Sequence, residues 1–135
     1  MPGIKLLVTG FLVPSLAEGL QGFHKESTIS SESAVLGADF GYAPLQNLCA
    51  TAVSDGWVLL TRYSSPKAAP GELMVLRQSG ATVLMLAPAV AEKRHNVIGR
   101  HLLGVWSTLV SEASANPGKI IEVPARAVPP PWRIL

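Results

Sequence analysis

The chain has 135 residues, of which 48% are hydrophobic, with 11 basic and 9 acidic side chains and a formal net charge of +2. That length fits one domain whose core needs no disulfide staple, and the near-balanced charge gives no strong electrostatic footprint for nucleic acid. The single cysteine, Cys49, excludes an intrachain disulfide and a multi-cysteine metal site, and it suits a reducing compartment.

The first predicted element is a buried strand from Ile4 to Val13, ended by Pro14. Lys5, the apolar run after it and Ser15-Leu16-Ala17 also have the outline of a weak signal peptide. The run is short and broken by Gly10 and Pro14, so a first strand and a cytoplasmic location are the preferred expectation, with secretion left open by residues 1–17. No apolar run reaches the roughly 18 residues of a membrane span. Ser15 to Gly22 is short and glycine-rich, and no helix is assigned there. The polar stretch His24 to Ser33 reads as a loop or an exposed edge strand centred on Ile29, and Ala34 to Phe40 as a short strand closed by Gly41 and Pro44.

Leu48 to Val53 and Trp57 to Tyr63 flank Ser54-Asp55-Gly56, where glycine can supply the positive φ of a hairpin turn. Ser64 to Gly71 contains two prolines and reads as a loop. Leu73 to Arg77 and Thr82 to Leu86 flank Gln78-Ser79-Gly80 as a second hairpin. The two hairpins predict a four-stranded antiparallel meander from about Leu48 to Leu86.

Ala81 to Ala113 carries the one sustained helical period. At about 100° per residue, Ala91, Ile98, Leu102, Val105, Leu109 and Ala113 share one arc, widened by Trp106 and Val110, while Lys93, Asn96, Arg100, Gly104, Ser107 and Ser111 lie opposite. Asn116-Pro117-Gly118 ends the helix; Pro88 is the favoured start and Asn96 the alternative. Lys119 to Val123 is a last short strand. Residues 124–135 form a proline-rich arm that either docks on another chain or folds back on its own sheet. The expected fold is therefore α+β: a two-layer antiparallel β-meander of about five to seven strands in all, covered by one main C-terminal helix, as a single domain over residues 1–123 with the arm beyond it.

The chemistry-bearing residues do not cluster. Cys49 falls in a predicted strand, where a buried, inert thiol is the usual case. His95 and His101 lie about 240° apart on the helix, wrong for one metal, and His95 reads as a core-edge histidine. The nine carboxylates, among them Glu18, Glu32, Asp39 and Glu112, are spread singly. GxxxxGK and GxGxxG are both absent, and no cofactor or metal is expected. Lys93, Arg94, His95, Arg100 and His101 are the one basic concentration; Lys93, Arg100 and His101 are candidates for anion or RNA contact, without interleaved aromatics for base stacking.

Two likenesses are legible. Lys5 to Phe11, KLLVTGF, resembles the first strand of pyrrolidone-carboxylate peptidases and of some nucleotide-binding α/β enzymes; it covers seven residues, gives way to Leu12-Val13-Pro14, and conflicts with the short length and antiparallel pattern expected here. Thr51-Ala52, Ser54, Val58-Leu59-Leu60-Thr61, Tyr63, a Lys67-containing connection, and Thr82 to Leu86 leading into the helix are similar to small proteasome-assembly-chaperone domains that work as heterodimers. Ser64 to Gly71 departs from that pattern as an insertion. The resemblance implies a non-catalytic α/β domain that pairs with a similar partner.

Surplus apolar residues and the proline arm favour a protein-interaction or assembly domain acting as a homo- or heterodimer. Trp57, Tyr63, Trp132, Ile134 and Leu135 are its candidate contact residues. The alternative is a small enzyme or ligand binder with Arg62, Tyr63, His95 and Arg100 around one pocket. A second alternative is RNA contact through Lys93 to His101.

Overall fold

A computed structural model describes residues 3–9, 12, 14–36, 45–63 and 67–135. The far end of the predicted strand Ala34 to Phe40, with Gly41 and Pro44, and part of the predicted loop Ser64 to Gly71 lie outside the described residues.

Four apolar runs set the architecture: Leu6-Leu7-Val8, Val58-Leu59-Leu60, Val83-Leu84-Met85-Leu86 and Ile120-Ile121. None alternates with polar residues, which is the pattern of strands covered on both faces. They lie in β1 (Lys5–Val8), β3 (Val58–Thr61), β4 (Val83–Leu86) and β5 (Ile120–Val123), and β2 (Thr28–Ser31) completes one sheet in the order β2-β1-β3-β4-β5. Every strand pairing is parallel, with Leu7 opposite Ser30 and Leu59, Leu59 opposite Val83, and Val83 opposite Ile120.

The expected antiparallel meander under one helix is thus replaced by a three-layer α/β sandwich. Six helices are formed among the described residues: α1 (Pro14–Phe23), α2 (Glu32–Leu36), α3 (Leu45–Asp55), α4 (Ala69–Ser79), α5 (Pro88–Ala91) and α6 (His95–Ala115). The two predicted hairpins are each a helix followed by a strand. Gly56 and Gly80 do take positive φ, 75° and 76°, but they end α3 and α4. A left-handed glycine suits a helix C-terminus as well as a tight hairpin, so the glycine alone does not separate the two. Burial of Leu48, Cys49 and Ala52 follows helical spacing. For α4, Pro70 in the first turn, Glu72 beside it and Arg77 in the last turn are the start and stop signals of a helix.

The sheet divides the core into two. Leu6, Val8, Leu60, Leu84, Leu86, Ile121 and Val123 face α1 and α6, where they meet Leu16, Leu20, Ile98, Leu102, Val105, Trp106 and Leu109. Leu7, Leu59, Val83, Met85 and Ile120 face the opposite layer, with Leu48, Cys49 and Ala52 of α3 and Leu76 of α4. Two helix layers on an all-parallel sheet bury far more apolar surface than a one-helix cover, and they absorb much of the hydrophobic composition. The apolar arc counted on the C-terminal helix is the buried face of α6. The helix breaks at residues 92–94, so Pro88 starts only the short α5, and Arg94 is the N-cap of α6.

The proline arm folds back. Ile134 pairs antiparallel with Ile121 on the β5 edge, through Arg133 carbonyl to Glu122 N–H and Ile120 carbonyl to Leu135 N–H, each 2.8 Å. Trp132, 4% exposed, enters the core beside α6, and its backbone N–H donates to Glu112 Oε1 at 3.4 Å. Glu112, itself buried, also accepts from Asn116 Nδ2 at 3.1 Å. His101 Nε2 donates to the Pro124 carbonyl at 2.7 Å, holding the start of the arm to α6.

Candidate functional site

In an open parallel sheet the strand order reverses where successive crossovers leave on opposite faces, and ligands bind beyond the carboxyl ends of the strands at that point. Here the reversal lies between β1 and β3. Thr9 and Thr61 follow and close those strands; both are buried, and Thr9 Oγ1 donates to Thr61 Oγ1 at 2.9 Å. A cavity of about 100 Å³ opens beside them, lined by Val8, Thr9, Leu12, Ser31, the 3%-exposed Glu32, and Ser33. Its size admits a small polar group and no more, since sites for drug-sized ligands run to about 300–1,000 Å³.

A wider groove lies on the outside of the α1–α6 layer. Both helices follow parallel strands and start at the sheet's carboxyl end, so they run side by side in the same direction. Ser15, Gly19 and Phe23 form one line on α1, with Leu16 and Leu20 beside them; His95, Gly99 and Leu103 form the matching line on α6, with Asn96 and Arg100. Steps of four residues put each line on one face of its helix. Together they enclose a groove of about 450 Å³.

Leu16 and Leu20 form a buried apolar floor and Leu103 a half-buried wall, while Phe23 stands 73% exposed at the rim. Glycine shapes the groove. A Cβ on Gly99 would lie 3.4 Å from Leu16 Cδ1, so the helices approach closely there, whereas a Cβ on Gly19 would meet no heavy atom within 4 Å. His95 and Arg100 are exposed, neither has a hydrogen-bond or ion-pair partner among the described residues, and the described lining holds no carboxylate.

A second groove of about 560 Å³ lies between α3 and α4, bordered by Gln46, Cys49, Val53, Val75 and Ser79. Its described lining carries no charged side chain. Burial pushes the Cys49 thiol above its ordinary range, and a hydrogen bond with Ser79 offsets this only in part, so the thiol is a poor nucleophile.

The residues named from the sequence are distributed as follows. Trp57 is buried at the foot of β3, with Lys5 Nζ 4.4 Å from its ring centroid. Tyr63 and Leu135 are half-buried against the α3–α4 core, and Trp132 is internal. Ile134 is 45% exposed and tied to the sheet edge by the bridge to Ile121. His95 and Arg100 share the α1–α6 groove, whereas Tyr63 packs on the other side of the sheet and Arg62 is not in the groove's lining, so the four-residue pocket does not assemble. Lys93 precedes α6, Arg100 faces α1 and His101 faces Pro124, so the three candidate anion contacts look toward different neighbours.

Of the groove's described lining the sequence reading names only His95 and Arg100 as site residues; Ser15, Gly19 and Phe23 on α1 and Gly99 and Leu103 on α6 are among those it misses. The missing signal was α1 itself: once Pro14–Phe23 is a helix, the spacing of Ser15, Gly19 and Phe23 gives the groove line directly.

Strand order, all-parallel pairing and helices on both faces define a doubly wound α/β domain. The chain matches no family model, and no curated protein or solved structure matches it at a significant level. No helix among the described residues is long and apolar enough to cross a membrane.

Proposed function

We propose that this chain is a non-catalytic protein-interaction domain of the assembly-factor kind, and that it engages another polypeptide through the α1–α6 groove. The observation carrying the proposal is an apolar trough of about 450 Å³ with Phe23 standing exposed on its rim. An aromatic anchor beside a pre-formed apolar groove is the anatomy of an interaction hot spot. The composition supports the same reading, because apolar surface remains on α1 after two cores have been filled. The arm and Trp57 contribute to folding in this scheme, and the docking face moves to α1 and α6.

Site-specific photocrosslinking in the source cells tests the proposal. A benzophenone side chain at position 23 is expected to give a discrete adduct, and the same group at Val128, exposed on the arm, is expected to give none. No adduct from position 23, or the same adduct from both positions, contradicts it.

A further inference from the structure

We infer that the occupant of the α1–α6 groove is an amphipathic helix of a different protein, seated by two apolar side chains one turn apart and steered onto Arg100 by an acidic residue. This rests on the interaction reading and specifies its partner.

Dimensions come first. Ser15 to Phe23 and His95 to Leu103 are matching spans of nine residues, each about 12 Å from first to last at a rise of about 1.5 Å per residue. That length accommodates about two turns of a third helix, enough for anchors at i and i+4. The floor admits such a helix closely, since Gly19 has no side chain and nothing lies within 4 Å of where its Cβ would be. Leu16, Leu20 and Leu103 supply the apolar contacts, and Phe23 covers one end.

Charge then selects the chemistry. Arg100 is the one charged side chain in the described lining, and His95 is the other group able to carry positive charge. A carboxylate on the incoming helix would find a guanidinium with no competing partner among the described residues, and Arg is the side chain best suited to a bidentate contact with it. The same fact disfavours a second copy of this chain. A two-fold pairing of groove on groove would bring two Arg100 and two His95 side chains together, with no carboxylate from either described lining to meet them.

The test uses the full chain and two fluorescein-labelled helical peptides of the same length. Each carries leucines four residues apart, and they differ only in a flanking Glu or Lys. Fluorescence anisotropy is expected to show wild-type protein binding the Glu peptide about fivefold tighter than the Lys peptide, and Arg100→Glu reversing the preference. Gly19→Leu fills the groove floor and is expected to weaken both peptides at least about tenfold. Gly104→Ala, on an exposed position of α6 outside the groove, is expected to leave both unchanged. Because neither new side chain meets a neighbour within 4 Å at its Cβ, both variants are expected to fold, which denaturant midpoints verify.

Equal binding of the two peptides, still abolished by Gly19→Leu, overturns the acidic partner and leaves the groove reading intact. Failure of both peptides to bind, or binding that ignores Gly19→Leu, overturns both. Light scattering is expected to find a monomer; a dimer dissolved by Gly19→Leu would make a second copy the occupant and overturn the proposal.

Discussion

His24 lies flat on Trp106, with ring centroids 3.9 Å apart and planes 11° from parallel, and its Nδ1 sits 3.5 Å from Glu26 Oε1. The other ring nitrogen, Nε2, is buried without a hydrogen-bond partner among the described residues. Leaving a polar atom unsatisfied costs about 1–3 kcal/mol, whereas the stack survives replacement by a phenyl ring. His24→Phe is therefore expected to raise stability by about 1 kcal/mol, read as a higher urea midpoint with an unchanged slope. Cys49 makes a second residue-scale case. Its pKa is raised chiefly by desolvation, so the folded state holds the thiol proton at a pH where the unfolded chain has released it. The stability from this group is fully present below the ordinary thiol value of 9.0 and is lost as pH rises through the raised folded value. Urea midpoints measured from pH 7 upward are expected to decline more steeply above about pH 9 in wild type than in Cys49→Ala. Thiol labelling at pH 7 is expected to be slow until denaturant unfolds the chain.

Among the elements, α6 was the most legible from sequence because seven buried apolar residues repeat over its 21-residue length and Asn116-Pro117-Gly118 stops it. The helices α3 and α4 were not legible as helices. Their runs, Leu48 to Val53 and Leu73 to Arg77, are short, and the following glycines serve a helix end as well as they serve a hairpin. The helix α1 was obscured by Gly19 and Gly22, which lower helix propensity by about 1 kcal/mol each relative to alanine. That loss is recoverable: Gly22→Ala, where a Cβ meets nothing within 4 Å, is expected to stabilise the protein by about 0.5–1 kcal/mol in denaturant titration. The arm was open between docking elsewhere and folding back, since a proline-rich segment permits both. Trp132 decides it by entering the core under Glu112. Trp132→Ala is expected to cost about 3–5 kcal/mol, and to raise amide exchange at Glu122, whose N–H is held by the arm.

For the molecule as a whole, the strand positions near Leu6, Leu59, Leu84 and Ile121 could be read from the chain, with Ile29 left between loop and edge strand, but their direction could not. Direction depends on what lies between the strands, and taking α3 and α4 for strands turned two crossovers into hairpins. The continuous apolar character of β1, β3 and β4 was the available signal for a sheet covered on both faces. The groove inherits the same dependence, because α1 and α6 lie parallel on one face only if each follows a strand of the same direction. One contact joins the sheet topology to the groove: Leu16 Cδ1 lies 3.4 Å from where a Cβ on Gly99 would stand. Methyl-resolved NOE spectroscopy on the full chain reads it directly. The account predicts a strong cross-peak between a Leu16 δ-methyl and a Gly99 α-proton, together with β3–β4 contacts in the parallel register Leu59 to Val83 and Thr61 to Met85. Absence of the Leu16–Gly99 peak from an assigned spectrum, or contacts in the reversed register, would contradict the fold and the docking groove built on it.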